Sequence, residues 1–178
     1  PSADGCSLRY HQRVEWIREI EQRKDFRFQG GLIELPYLRF SDLEAEGYPV
    51  PGAVRMGARI HFKGLFAMMT HSKVSLTPTG HARWTYRHYE SVYAGCDVVS
   101  TDLSGIRTLL PFPTHCFEMV PDHQPVSPSV EKILNQWKDR APLREAAVEY
   151  LEKYLFRGRY DARRPAIFEQ FLAQVEGD

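Results

Sequence analysis

The residues best placed to do chemistry lie between positions 77 and 102. A short apolar segment, 73–77, precedes the loop Pro78-Thr79-Gly80-His81, and a helical pattern follows over 83–94. Glycine permits positive φ or close approach to its backbone. The free N–H groups and the dipole of a helix start favour an anion such as phosphate. A strand running through a glycine loop directly into a helix therefore predicts an anion site on Thr79, Gly80 and His81.

Charged side chains extend this candidate site along the helix. Arg83, Arg87 and Glu90 are spaced four and three residues apart, which places them on one helical face. Guanidinium groups match pyrophosphate oxygens, and a carboxylate accepts hydrogen bonds from hydroxyls such as those of a ribose. The same spacing equally predicts an internal Arg87–Glu90 ion pair on a solvated helix. The residue types alone leave both interpretations open.

The elements that must position these side chains alternate along the chain. Periodicity predicts helices at 8–23, 59–70, 83–94, 127–138, 142–156 and 164–175, and strands at 26–29, 73–77, 97–101 and 116–120. Residues 34–58 are predicted to form an irregular connection with a helical turn at 41–46. Alternating strands and helices predict an α/β fold: a Rossmann-like, doubly wound parallel sheet flanked by helices, with C-terminal helices. Ligands bind such sheets beyond the carboxyl ends of the strands, here after Thr77, Thr101 and Val120.

Bulk composition places limits on the class of protein. The 178 residues, 43% hydrophobic and 26% charged, are typical of one globular domain covering 1–178. Lysine and arginine number 23, as do aspartate and glutamate, and this balance argues against a general nucleic-acid binder. A doubly wound domain usually opens with a strand, whereas this chain opens with a predicted helix. We therefore expect a piece of a longer chain that lacks its first strand.

Cysteine usage and motif searches narrow the chemistry. Cys6, Cys96 and Cys116 share no CxxC spacing, and Asn135 is not followed by a glycosylation signal. The histidines show no HxH or HExxH spacing, so neither a metal nor a cofactor is predicted. No apolar run is long enough to span a bilayer. The predicted location is the cytoplasm. A basic cluster consists of Arg157, Arg159, Arg163 and Arg164. Two interpretations stay open: the cluster contacts an acidic partner protein or a membrane surface, or it is a solvated connection between helices.

The segment 77–100, TPTGHARWTYRHYESVYAGCDVVS, resembles the donor-binding signature of GT-B glycosyltransferases. Arg87-His88-Tyr89-Glu90 followed by Tyr93-Ala94-Gly95-Cys96 is similar to the exostosin-like and group 1 families. The resemblance implies that Glu90 binds the nucleotide ribose, that Arg87 contacts the diphosphate or the sugar, and that the backbone of 80–82 cradles the phosphates. The donor-binding set it implies is Thr79, Gly80, His81, Arg83, Tyr86, Arg87 and Glu90. Outside this segment only the order of elements agrees.

The activity implied by the resemblance is sugar transfer from a nucleotide-diphosphate sugar to an unknown acceptor. The chain would then be the C-terminal half of a two-domain enzyme, inactive without its N-terminal acceptor-binding domain. No DxD triplet occurs, which argues against the metal-dependent GT-A class. Many group 1 enzymes carry a second glutamate eight positions before the ribose-binding one, and Ala82 stands there. No catalytic residue is therefore assigned, with His81 and Arg83 as the nearest candidates.

The same residues allow two other classes of protein besides a glycosyltransferase. A non-catalytic Rossmann-like module that binds a partner protein or a phosphorylated ligand is the main alternative, and the missing glutamate favours it. A sugar-phosphate epimerase of related topology is disfavoured, because no acid–base pair stands out near the loop.

Overall fold

The structure is a computed structural model that describes residues 4–36, 38–80, 82–106, 113–155, 165–167, 169 and 173. Its helices are α1 (Asp4–Glu21), α2 (Phe40–Ala45), α3 (Phe62–Thr70), α4 (Tyr86–Tyr93), α5 (Ser127–Asn135) and α6 (Ala141–Leu155). Its strands are β1 (Leu32–Ile33), β2 (Arg55–Met56), β3 (Val74–Thr77), β4 (Asp97–Thr101) and β5 (Phe117–Val120). Short 3-10 turns precede β2 and β5.

A parallel three-stranded sheet in the order β3-β4-β5 forms the centre of the fold. Val74 pairs with Asp97 in the first ladder, and Val98 pairs with Phe117 in the second. All five residues of the middle strand β4 are buried. Its run of valines is typical of a strand that is covered on both faces. The strands predicted at 73–77, 97–101 and 116–120 are thus confirmed within a residue.

Successive residues of β4 point to opposite faces of the sheet, and each face has its own core. Val98 packs in a cluster with Val92 of α4 and Leu151 of α6. Val99 packs in another with Trp16 of α1 and Ile133 of α5. Helices therefore cover both faces, and the chain has the predicted Rossmann-like α/β fold.

Helix α1 is shared between two cores, which explains why it is apolar on two sides. Trp16 faces the main sheet, while Val14 joins a separate cluster with Leu32, Leu43 and Val54. That cluster holds α2 and the small parallel sheet of β1 and β2 against α1.

Two sequence-based predictions are wrong in the N-terminal part. Residues 26–29 are not a strand, because Phe28 packs against both cores and the ladder forms further along, at β1. The connection 34–58 is not wholly irregular. It contains the predicted helical turn, as α2, but it also contains β2, which pairs in parallel with β1.

The C-terminal helices are close to their predicted bounds. Helix α5 ends at Asn135 rather than at residue 138, and α6 matches its prediction to within one residue at each end. Of the helix predicted at 164–175, only 165–167, 169 and 173 are described, and these are helical. The arginines 157, 159, 163 and 164 lie outside the described residues. Within the described ranges, every helix is too short or too polar to cross a bilayer.

A buried ionic cluster fixes α6 to the amino ends of the strands. The Asp97 carboxylate is fully buried and accepts hydrogen bonds from Arg140 Nε at 2.8 Å and Arg144 Nη1 at 2.7 Å. Arg140 also binds Glu118 at 2.8 Å, and the Arg144 guanidinium lies 3.7 Å from the Trp137 ring centre. Buried charges persist where they are paired and hydrogen-bonded in this way. The opposite, carboxyl edge of the sheet remains as the place for a ligand.

Candidate functional site

The loop between β3 and α4 is longer than the sequence pattern predicts. Helix α4 begins at Tyr86, not at Arg83, and residues 82–84 form bends. Thr85 is the N-cap, with extended backbone (φ −142°, ψ 166°), and its N–H donates to Nδ1 of His88 at 3.2 Å. This capping contact fixes the N-terminal end of α4, so Thr85 is the last residue before the helix. The prediction that the strand runs through Gly80 directly into a helix is therefore wrong. His81 lies outside the described residues.

Gly80 is needed for close packing and not for an unusual backbone angle. The positive-φ glycines among the described residues are Gly30, Gly47 and Gly95. A β-carbon at Gly80 would instead lie 2.6 Å from Nη2 of Arg13, a residue of α1. The Arg13 guanidinium therefore rests directly against the glycine backbone. Glycine at this position predicts either a positive φ or close approach of another group to its backbone, and the structure shows the close approach.

Thr79 is buried beside Gly80, and α1 holds its backbone. The Thr79 N–H donates to Oε1 of Gln12 at 2.8 Å. The Gln12 amide also donates to Oγ1 of Thr101 at 3.4 Å, so it ties the ends of β3 and β4 together. Oγ1 of Thr79 is buried and has no hydrogen-bond partner in the described part of the chain. A hydroxyl in that condition has lost its hydration without replacing it.

Arg13 is a candidate binding residue that the sequence patterns do not reveal. Its Nε is buried and without a hydrogen-bond partner among the described residues. Burial lowers the pKa of Arg13, the nearby Tyr10 raises it, and the positive charge of Arg87 lowers it further. Two arginines from separate helices thus come together beside Gly80. The sequence feature that could have identified Arg13 is its position, next to Gln12, between the two apolar sides of α1.

Arg87 and Glu90 form the ion pair that their spacing predicted as one of two interpretations. Arg87 Nη1 lies 2.7 Å from Oε2 of Glu90, and the two side chains are 36% and 25% exposed. Arg87 Nη1 also contacts the Met69 sulfur at 3.8 Å, which orients the guanidinium. A carboxylate has about four acceptor sites on its two oxygens. Pairing through Oε2 leaves Glu90 with acceptor capacity on Oε1.

Arg83 does not share the face of Arg87 and Glu90, and the prediction that it does is wrong. Because α4 starts later, Arg83 lies in the loop and turns towards the neighbouring strands. Its Nη1 donates to the Asp102 carbonyl at 3.0 Å, and its Nη2 pairs with the Asp122 carboxylate. These contacts join the loops that follow β3, β4 and β5. Within the described residues, Arg83 therefore has a structural role, connecting loops at the carboxyl edge of the sheet.

The start of α4 carries two aromatic residues in different environments. Tyr86 is 83% exposed, the most exposed large apolar side chain of the described residues. Trp84 stacks on His88 with ring centres 4.3 Å apart. Trp84 therefore packs the loop onto α4, while Tyr86 presents its ring to solvent beside Arg87.

His88 is a structural residue beneath the site. Its Nδ1 lies 3.2 Å from the Thr85 amide nitrogen and 3.1 Å from the Thr85 carbonyl oxygen, and its Nε2 lies 3.0 Å from Ser100 Oγ. Burial lowers the pKa of His88 to about 4, and the backbone of Thr85 partly opposes this. His88 is accordingly neutral at physiological pH and links α4 to β4. Its predicted packing on the helix is confirmed.

The other two carboxyl-edge loops are occupied by the protein's own groups. The carboxylate of Glu19 accepts hydrogen bonds from the N–H groups of Val126 at 2.9 Å and Ser127 at 2.7 Å, which fills the start of α5. Asp102 accepts from the Ser104 N–H and hydroxyl, both at 2.9 Å, and these bonds lower its pKa. Residues 107–112 lie outside the described part of the chain. Among the described residues of these connections, Thr79 Oγ1 after β3 and Ser127 Oγ at the start of α5 are buried without a hydrogen-bond partner.

The remaining candidates for chemistry are inert or separate from this loop. Cys96 and Cys116 are buried, and burial raises the pKa of each thiol to about 12. The described residues contain no group of three His, Cys, Asp or Glu side chains that could hold a metal ion. A groove of about 610 Å3 lies at the carboxyl ends of β1 and β2, lined by Glu34, Phe40 and Arg55 among others. The described site residues of the loop after β3 do not line this groove.

The fold and the site define the class of the molecule as a Rossmann-like α/β domain with a cationic loop at the carboxyl edge of its sheet. Comparisons with models of protein families, with curated proteins and with solved structures found no match. The support for a function therefore comes from the geometry of the site and from the resemblance of residues 77–100 to the donor-binding signature of GT-B glycosyltransferases.

Proposed function

We propose that this chain is the donor-binding domain of a GT-B type glycosyltransferase, which transfers a sugar from a nucleotide-diphosphate sugar to an acceptor without a metal. One observation carries the proposal: Arg87 and Glu90 lie together on α4, beside the Thr79–Gly80 loop at the carboxyl edge of a parallel sheet. That edge is where open α/β sheets bind nucleotides.

Each group in this arrangement matches a part of such a donor. The Arg87 guanidinium suits the oxygens of a diphosphate. Glu90 keeps acceptor capacity on Oε1 while Oε2 binds Arg87, so it can accept from ribose hydroxyls without breaking the ion pair. The exposed ring of Tyr86 offers a surface on which a base or sugar can stack. The backbone of Thr79 and Gly80 borders the position of the phosphates.

The proposed reaction depends on electrostatic stabilisation of the departing diphosphate. Cations held in place before reaction stabilise developing negative charge without reorganising, and Arg87 is such a cation. Arg83 is engaged by Asp122, and Ala82 carries no catalytic group. We therefore expect the acceptor-binding domain to complete the catalytic site, and this chain alone to turn over little or no donor. The proposed location is the cytoplasm, with peripheral attachment to a membrane left open.

The second candidate function is a non-catalytic module that binds a partner protein or a phosphorylated ligand. The observation that favours it is the engagement of Arg83 by Asp122, together with alanine at position 82. Under this alternative the cationic loop binds phosphate but supports no transfer, even when every neighbouring domain is present.

Calorimetric titration of the chain with UDP and with GDP tests the proposal. We expect one of the two to bind, and the Glu90→Ala variant to bind it about tenfold or more weakly, because a hydrogen bond to a charged group is lost. Glu149→Ala is the matched control, since Glu149 is an exposed glutamate on α6. The proposal is wrong if neither nucleotide binds and Glu90→Ala changes nothing. Binding without sugar transfer by the two-domain protein would favour the alternative.

A further inference from the structure

A partly buried cation lies beside Gly80 in the candidate site, and within the described residues it has no counter-ion. Nε of Arg13 is buried without a partner, and no salt bridge to Arg13 occurs within the described residues. The neighbouring charge of Arg87 is also positive and increases the cost of the arrangement. An unpaired buried charge is strongly unfavourable. Such an arrangement is stabilised when an anion from solution joins it.

A second unsatisfied group lies on the same loop and points to the same kind of ligand. Thr79 is more than nine-tenths buried, and its Oγ1 has no hydrogen-bond partner in the described ranges. Its hydroxyl can donate to an anionic oxygen. The unpaired groups of Arg13 and Thr79 are therefore both hydrogen-bond donors.

Gly80 explains why these donors can meet one oxyanion. With no β-carbon, residue 80 lets Nη2 of Arg13 approach its backbone, where a side chain would collide with it. The Arg87 side chain, 36% exposed, is close enough to Arg13 for its charge to lower the pKa of Arg13. Planar guanidinium groups bind phosphoryl oxygens through paired N–H donors.

We propose that Arg13, Thr79 and Gly80 form an oxyanion subsite that binds a phosphoryl group of the ligand, with Arg13 as its principal cation. The inference deepens the proposed function and rests on it for the nucleoside part of the ligand, since it assigns the group that holds the diphosphate. It adds to the site an element, α1, that lies outside the segment with the family resemblance.

The test is calorimetric titration of the full chain with inorganic pyrophosphate and with UDP and GDP. Arg13→Gln removes the cation, and Arg18→Gln is the matched control on the same helix. Arg13→Gln is expected to weaken pyrophosphate and nucleotide binding about tenfold or more, because charge-assisted hydrogen bonds are lost. Arg18→Gln is expected to leave both affinities unchanged. Thr79→Val, which removes only the hydroxyl, provides a second test should Arg13→Gln not fold.

A thermal melt without ligand separates a binding role of Arg13 from a structural one. Removing a partly buried guanidinium whose Nε has no partner should hold or raise the melting temperature. A lower melting temperature with unchanged affinity would instead make Arg13 a structural residue and overturn the inference.

The titrations also separate this inference from the proposed function. If wild type binds nucleotide and both Arg13→Gln and Thr79→Val bind it equally well, the subsite is refuted and the proposed function stands. If wild type binds pyrophosphate through Arg13 but binds neither nucleotide, the subsite stands and the proposed function is refuted. Binding of neither pyrophosphate nor nucleotide overturns both.

Discussion

Arg13 and Gly80 are in contact although they belong to different elements: a β-carbon on residue 80 would lie 2.6 Å from Nη2 of Arg13. Among the described residues, the side chain that such a carbon would meet is therefore the flexible end of Arg13 alone. The backbone angles at Gly80 do not require glycine, since its φ lies outside the positive region. The glycine serves to hold the guanidinium against the loop.

Substitution of Gly80 by alanine should therefore impair binding more than folding. The new methyl group displaces the Arg13 guanidinium, and we expect nucleotide affinity to fall about tenfold through the lost charge-assisted bonds. The free energy of unfolding should change by no more than about 1 kcal/mol, because alanine is compatible with the backbone there. Calorimetry and urea denaturation measure the two effects. Gly52→Ala is the control, because a β-carbon at Gly52 meets nothing within 4 Å. Unchanged affinity in Gly80→Ala would refute this role of the glycine.

The buried ion pair of Asp97 should contribute far more to stability than an exposed pair. Asp97→Asn leaves Arg140 and Arg144 buried without their counter-charge, and we expect a loss of about 3–5 kcal/mol in the free energy of unfolding. Glu44→Gln breaks the exposed pair with Arg55, whose side chains are 43% and 42% exposed, and should cost about 1 kcal/mol or less. Urea denaturation of both variants measures the difference. Equal losses would contradict the assigned role of the cluster.

His88 should make stability depend on acid pH. Its pKa is about 4 in the folded protein against 6.5 ordinarily, so below pH 6.5 the unfolded chain binds a proton that the fold does not. The stability is present above pH 6.5 and is lost as pH falls to about 4, by roughly 3 kcal/mol in total. His88→Gln should lack this component. The difference between the two pH profiles of unfolding free energy isolates it from the carboxylates. Parallel profiles would show that His88 does not stay neutral in the fold.

Glu19 should stabilise the start of α5. Its carboxylate accepts hydrogen bonds from the N–H groups of Val126 and Ser127. Glu19→Ala leaves these two donors without their acceptor. We expect a loss of about 2 kcal/mol in the free energy of unfolding, as for a hydrogen bond to a charged group. Glu21→Ala, at an exposed position on the same helix, should have little effect. Similar melting temperatures for the two variants would contradict the capping role.

The central sheet could be predicted from sequence because its signal is local. The apolar run in β4 and the flanking helical periods indicate a strand buried on both faces, and the three-residue spacing of Arg87 and Glu90 indicates their ion pair. The cap formed by Gly95 at the end of α4 was also predictable, and its φ of 80° confirms it. Each of these features depends on residues that are close together in the chain.

The parts that could not be predicted depend on distant contacts or on unusual local chemistry. Arg13 reaches Gly80 only after α1 packs across the sheet, and no local pattern encodes that contact. The start of α4 was misplaced because His88 takes the position where a capping box usually has glutamate or glutamine. The two-residue strands β1 and β2 are too short to show a period.

A calorimetric cycle that combines Glu90→Gln with removal of the ribose hydroxyls tests the central claim most directly. Wild type and Glu90→Gln are each titrated with UDP and 2′,3′-dideoxy-UDP, and the GDP pair is run in parallel. If Glu90 accepts from the ribose, wild type prefers the complete nucleotide by about tenfold or more, and Glu90→Gln loses most of this preference. An equal preference in both proteins, or no binding of either nucleotide to wild type, would contradict the assignment of this site to a nucleotide-sugar donor.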